Sequence, residues 1–286
     1  MSLCRFCNAK VGLFRNEHVE CAEKARTGQT LLRELVEKAV LEGGNAADVI
    51  PRMTGLTEQY RIPALDAKET AISALDRATS EKARKVALSP QEFENIYELL
   101  CHYKYEFADP ANVANKRFGF SYAGMSNILW HVKQYSPLPY DGLGRTQFNL
   151  EYNENPIFCF GSTTLAEERT ISSHNYAGIS VPLGDGIRFN TGSYGNRAVT
   201  GLQPLDEGDF LVTDRSIYFG GKHKTLHIPY RSILRTQPYT DGIGVSQNNG
   251  PEKVFVQALH GAESGWFVNE LILTLMEQYK ERVAHP

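Results

Sequence analysis

At 286 residues, with 42% apolar and 22% charged side chains, the chain has the composition of a folded globular protein with room for two domains and a small appendage. A formal net charge of −3 excludes binding to nucleic acid or acidic lipid through bulk charge alone, and no apolar run approaches the roughly 18 residues of a membrane span. The charge is uneven: residues 1–26 carry five Lys/Arg against three Asp/Glu, residues 27–149 carry 14 against 15, and residues 150–286 carry 11 against 15.

Three of the five cysteines fall in CRFCNAKVGLFRNEHVEC, residues 4–21. Cys4, Cys7, His18 and Cys21 make C-x2-C-x10-H-x2-C, two ligand pairs at the spacing of a tetrahedral zinc site. A tight turn points the first two sulfurs at one ion, and KVGLFRN makes a small hairpin. Asn16 is then expected to cap a helix whose first turn carries His18 and Cys21 on one face. A Cys4–Cys7 disulfide is the competing reading, but it leaves His18 and Cys21 idle. The short, polar, basic start shows no secretory signal, so a reducing cytoplasm is expected. Four protein ligands leave no open position, so the zinc expected here is structural. Residues 1–26 thus form a zinc-binding module that resembles treble-clef and zinc-ribbon knuckles. Such knuckles serve nucleic-acid binding, protein binding or plain stapling.

Residues 27–107 read as a helical domain. Leu31, Leu32, Leu35, Val36, Ala39 and Val40 form one apolar face that Gly43-Gly44 ends. A second helix contains Met53, Leu56 and Tyr60, and a third runs near Ala67 to Val86. A fourth starts at Ser89 as cap with Pro90 at its first position. Residues 108–150 form a connector rich in aromatic side chains (Phe118, Phe120, Tyr122, Trp130 and Tyr135), with a short helix near Ser126 to Gln134. GFSYAG within it approaches a nucleophile elbow, but Ala123 stands where the last glycine belongs. A packed aromatic loop is the expectation there. Cys101 and Cys159 read as buried small apolar residues.

From Asn155 the period becomes two. NPIFCFGS, GISVPL, GIRFNTGSYG, GDFLVTDRSIYFGG, KTLHIPY, SILRTQPY, GIGVSQ and EKVFVQAL are short strand-like runs between turn residues, with NNGP one of the turns. Thr213-Asp214-Arg215 joins two of them in a tight hairpin. A helix then carries the stripe Val268, Leu271, Ile272, Leu275, Met276 and Tyr279, with Trp266 and Phe267 anchoring its start. The expected fold class is therefore α+β and multidomain, ending in a bent sheet or partial barrel over residues 151–286 that is plugged by the last helix.

The segment LDEGDFLVTDRSIYFGGKHKTLHIPYRSILRTQPYTDGIGV resembles bacterial pleckstrin-homology domains of the GRAM-like kind. The likeness rests on the strand ending in Thr213, the aromatic strand Ile217–Phe219, the IPY-type strand and isoleucine-led strand over Ile228–Ile233, and the DGI turn at Asp241–Ile243. It implies a partly open β-barrel capped by a helix, no catalytic residues, and in eukaryotic members phosphoinositide binding at the open end of the barrel.

No H-E-x-x-H, P-loop or G-x-G-x-x-G motif occurs. His102, His131, His174, His223, His227 and His260 are scattered, and each reads as a surface or satisfied histidine. The expectation is a non-enzymatic cytoplasmic adaptor or sensor, free or peripheral to a membrane, that binds a protein, a peptide or a lipid headgroup. GGKHKT supplies its candidate ligand surface, with Lys222, His223 and Lys224 forming a basic cluster in an acidic domain. A wet hairpin tip is the plain alternative. Two other functions stay open. Nucleic acid can bind the zinc module through Arg5, Lys10, Arg15, Lys24 and Arg26, with Phe6 and Phe14 stacking on bases. An enzyme of unrecognised type can place its site between the helical and β domains.

Overall fold

The computed structural model describes residues 2–12, 16–103, 122–138, 147–171, 182–183, 187–188, 199–248, 250–257 and 264–284. Phe118, the first half of GFSYAG including Phe120, His174, His260 and Asn249 of NNGP lie outside the described residues. The chain divides into two compact units, Met1–Trp130 and His131–Pro286.

The first unit is helical: α1 Val19–Glu42, α2 Ala46–Gln59, α3 Ala64–Lys85 and α4 Pro90–His102, followed by α5 Tyr122–Lys133, whose residues up to Trp130 belong to it. Three of these boundaries have a local cause in caps and turns. α1 stops where Gly43 turns left-handed at φ 74°, a conformation glycine adopts without strain, and Gly44 N–H donates back to the Ala39 carbonyl at 2.7 Å. The Asn45 side chain caps α2 by accepting from Ala47 N–H at 2.9 Å. Ser89 and Glu92 form a reciprocal capping box at α4, with Pro90 inside its start. Glu92 also pairs with Lys82 of α3 at 2.7 Å. The core is built by Leu32, Val36, Val40, Met53, Ile62, Leu75, Leu88, Ile96 and Leu99, with Ala67, Ala71, Ala74 and Ala78 of α3 letting helices approach closely. α5 is fixed to this unit by polar bonds: Leu88 N–H donates to Ser126 Oγ at 2.9 Å and Asn127 Nδ2 donates to the Leu88 carbonyl at 3.2 Å. The α1 helix runs through residues 26 and 27 without a break.

One contact in this unit sets a prediction. A Cβ at Gly28 would lie 2.3 Å from Tyr60 Cβ and 3.1 Å from Ile62 Cδ1. Gly28→Ala is therefore expected to destabilise the helical unit by about 1–3 kcal/mol, although alanine is the better helix former. Chemical denaturation followed by circular dichroism measures it, and a stabilised variant would refute the close packing.

The second unit holds a curled, antiparallel, seven-stranded half-barrel. Its strands are β1 Pro156–Ile171, β4 Val199–Thr213, β5 Ser216–Gly221, β6 Thr225–Pro229, β7 Ile233–Tyr239, β8 Gly242–Gln247 and β9 Lys253–Gln257, in the order β6-β5-β4-β1-β9-β8-β7. β2 Pro182–Leu183 and β3 Ile187–Arg188 form a separate small pair. Register shifts between β1 and β4, with an extra residue on β1 at Phe160/Thr163 and on β4 between Pro204 and Asp206, mark bulges, which bend and twist a strand. Phe158, Phe160, Phe210, Phe219 and Phe255 fill the concave side. The helix α6 Gly265–Ala284 lays Phe267, Val268, Leu271, Ile272 and Leu275 against it, and the Phe158 and Phe267 rings meet edge to face at 5.1 Å.

The predicted stripe thus holds at Val268, Leu271, Ile272 and Leu275, while Met276 and Tyr279 are only half-buried. Buried instead is Gln278, whose Nε2 donates to the Val132 carbonyl at 2.7 Å. Cys101 and Cys159 are half-buried rather than buried. Among the described residues, no helix is long and apolar enough to cross a membrane.

Candidate metal centre and basic turn

The knuckle is made by backbone first. Leu3 and Lys10 bridge antiparallel, and Val11 N–H donates to the Ser2 carbonyl at 3.1 Å. Between them Cys4 N–H donates to Ala9 O at 2.8 Å and Asn8 N–H to Cys4 O at 2.9 Å. The turn closes because Asn8 sits left-handed at φ 56°, which asparagine tolerates better than most residues. Cys4 is fully buried, and Cys7, His18 and Cys21 are half-buried.

The donor atoms of Cys4, Cys7, His18 and Cys21 all lie within 4.8 Å of one another, close to the roughly 3.5–3.8 Å edges of a tetrahedral site, and together they can hold a metal ion. His18 Nδ1 is 3.4 Å from Cys7 Sγ and 3.9 Å from Cys21 Sγ. Its other nitrogen, Nε2, is 3.1 Å from the Lys10 carbonyl. A carbonyl only accepts, so Nε2 carries the proton and Nδ1 turns its lone pair to the sulfurs. His18 is not in the first turn as expected. It is the N-cap residue of α1, extended at φ −87° and ψ 142°, and that conformation swings the ring back over the knuckle.

The crowding of the thiols suits a cation. Burial opposes ionisation of Cys4, yet backbone amides of Phe6, His18 and Cys7 bring its thiol down to about 6. Burial, then the neighbouring Cys7 and Cys4 sulfurs, push Cys21 up to about 11. Clustered thiolates repel one another, and a bound cation removes that conflict.

The centre is tied to the helices. Arg5 pairs with Glu17 at 3.0 Å and with Asp66 of α3 at 3.8 Å, while its guanidinium lies 4.5 Å from the Phe6 ring centroid. Two groups that sequence reasoning offered to nucleic acid are thus already engaged with the protein. Lys10, Lys24 and Arg26 are exposed, and Phe14 and Arg15 lie outside the described residues.

In the second unit the basic cluster forms a two-residue hairpin tip. Gly220 pairs with Thr225, Gly221 N–H donates to Lys224 O at 2.8 Å, and Lys222 and His223 span the turn. Lys222 and His223 are exposed and Lys224 is half-buried. A residue the sequence reading did not select, Asp206 of β4, reaches into this turn. Its Oδ2 accepts from His223 N–H at 2.6 Å and Lys224 N–H at 2.7 Å. Despite some desolvation, the amides of His223, Lys224 and Glu207 hold its carboxyl below the usual aspartate range. The overlooked signal was a pair of glycines: Gly208 and Gly221 lie directly opposite, and a Cβ on Gly221 would be 2.3 Å from Asp206 Oδ2.

A polar network surrounds the β4–β5 hairpin. Buried Glu154 accepts from Thr213 Oγ1 at 2.5 Å, Tyr218 OH at 2.7 Å and Glu151 N–H at 3.0 Å. His227 stacks on Tyr218 with ring centroids 4.4 Å apart, and its Nε2 is 3.0 Å from Ser216 Oγ. Ser216 is only 3% exposed while His227 is exposed on β6, so the contact joins a buried hydroxyl to a surface ring. Burial works against the Glu154 anion, but hydrogen bonds from Thr213, Tyr218 and Glu151, then His227, hold its pKa below the ordinary 4.5. A depressed carboxyl stabilises the fold above the unfolded value and loses that contribution as pH falls through the folded one. Glu154→Gln is expected to cost about 1–3 kcal/mol at neutral pH, and the gap to wild type should close in acid. Melting curves of both proteins across the acid range check it; a gap independent of pH would refute it.

No family model matches the sequence, and no curated protein matches it in a sequence search.

Proposed function

We propose that the chain is a non-enzymatic adaptor or sensor, stapled by one structural zinc ion and presenting a pleckstrin-homology-like, GRAM-like C-terminal module to a partner. The carrying observation is the closed donor set. Three sulfurs and one imidazole nitrogen, all within 4.8 Å of one another, can supply four ligands to one ion, a donor set that suits zinc over the oxygen-loving cations and would leave no position for a substrate. The second unit supports the module reading through seven antiparallel strands followed by one capping helix, the order on which the resemblance rests. On this reading the protein works in the reducing cytoplasm, free or at a membrane surface. Its ligand is a protein or peptide, or a headgroup, met through an acidic or phosphate-bearing group at Lys222, His223 and Lys224. The test compares affinity capture with crosslinking for wild type and for Lys222→Glu with Lys224→Glu. The double variant is expected to stay folded, since surface changes usually cost within about 0.5 kcal/mol, and to lose a partner that wild type keeps. Identical partners for both proteins would leave the cluster a wet turn.

A further inference from the structure

The β5–β6 turn carries an internal anion. Neither Lys222 nor His223 has a positive φ, so the two-residue loop is not of the primed type whose twist matches that of its strands. Its His223 and Lys224 amides converge on Asp206 Oδ2 at 2.6 and 2.7 Å, the two-donor arrangement by which backbone cradles an anion. Asp206 reaches it because β5 stops pairing with β4 at Gly208, opposite Gly221, and neither glycine has a side chain to fill the space. Asp206 is mostly engaged here, with Oδ1 accepting from the N–H of the next residue, Glu207, at 3.0 Å. The amides that would otherwise meet an external phosphate are therefore already taken by a carboxylate of the same chain, which sets a negative charge at the turn that carries Lys222 and Lys224.

We infer that Asp206 is an autoinhibitory carboxylate, occupying the Lys222–Lys224 turn and weakening its hold on phosphate-bearing ligands. This rests on the proposed reading of that turn as the ligand surface. The ligand chemistry is a phosphate monoester or diphosphate, which brings more charge and more acceptor oxygens than a carboxylate, so it competes for the same amides and adds the two lysines. Binding exchanges one anion for another, and the freed Asp206 passes to solvent.

The test titrates the full chain with inorganic pyrophosphate by calorimetry, and with phosphatidylcholine vesicles with or without phosphatidic acid by co-sedimentation. Asp206→Asn keeps the shape and removes the charge, so it should bind about tenfold more tightly than wild type. Asp206→Glu keeps the charge and should show no gain. Adding Lys222→Glu and Lys224→Glu to Asp206→Asn should erase the gain. A gain with pyrophosphate identifies free phosphate as the source, and a gain confined to phosphatidic acid vesicles identifies a headgroup; either supports the inference. Asp206→Ser, read in the same assays and checked by circular dichroism, covers an asparagine variant that fails to fold. Equal affinity of wild type and Asp206→Asn overturns autoinhibition; if Lys222→Glu with Lys224→Glu still weakens wild type, the ligand surface itself stands. Equal gains in the asparagine and glutamate variants also overturn it, because charge is then not the cause. If no form binds either probe, both the inference and the phosphate reading of the turn fall.

Discussion

Cys7→Ser protein is expected to contain no stoichiometric zinc and to melt its helical unit early, while the half-barrel unfolds as in wild type. The reason lies in where the second ligand pair sits. His18 caps α1 and Cys21 lies in its first turn, and the same 24-residue helix continues to Leu32, Val36 and Val40 in the bundle core. Its N-cap makes no side-chain hydrogen bond to the helix, because the ring is committed to the centre and to Lys10. Metal binding supplies folding energy in small modules, about 10–16 kcal/mol for zinc-finger peptides. This bundle has a core of its own, so the expected loss is smaller, above about 3 kcal/mol. Elemental analysis and two-transition melting measure it. Wild-type protein without bound metal would end the zinc reading. A metal-free variant with an unchanged helical transition would show instead that the knuckle is energetically separate.

Ending the chain before Ser264 is expected to give an insoluble or molten product. Phe267, Val268, Leu271, Ile272 and Leu275 are each at most 2% exposed in α6, and each contributes about 1.5–3 kcal/mol on burial. Their sum is comparable to the about 5–15 kcal/mol that holds a whole domain together. The start of the helix is also jammed against the sheet: a Cβ on Gly265 would lie 1.5 Å from the Tyr239 carbonyl oxygen. Ser264 Oγ adds a bond to Gln257 Oε1 at 2.7 Å. Leu271→Ala is the milder form, at about 2–5 kcal/mol. Dispersed, sharp amide signals from the truncated protein would show that the sheet does not need the helix.

What could be read in advance was local. The four ligands fall within 18 residues, and the Ser89 cap lies beside the helix it starts, although the first helix is capped by His18 and not by Asn16. Long-range partners left no such mark. The first strand was legible only as NPIFCFGS, because the following TTLAEERTI looks too polar for a sheet. Yet Glu167 lies directly opposite Lys253 and pairs with it, so a charge that reads as loop is a cross-strand contact. Gln278 falls outside the apolar stripe, and its acceptor, Val132, is 146 residues away. Asp206 escaped for the same reason, since the amides it holds belong to a turn that spacing alone does not bring near.

The position of β1 has a consequence for how the protein is made. This strand sits in the middle of the sheet, yet one of its neighbours is the last strand, with Thr163 opposite Gln257 and Glu167 opposite Lys253. On a ribosome adding about 5–20 residues each second, β1 waits several seconds beside β4 with its other edge open. An open edge of that kind templates pairing with any extended chain nearby. The helices upstream close by short-range contacts as they emerge, so the interval of greatest aggregation risk belongs to the nascent half-barrel and ends only when Lys253–Gln257 has cleared the exit tunnel.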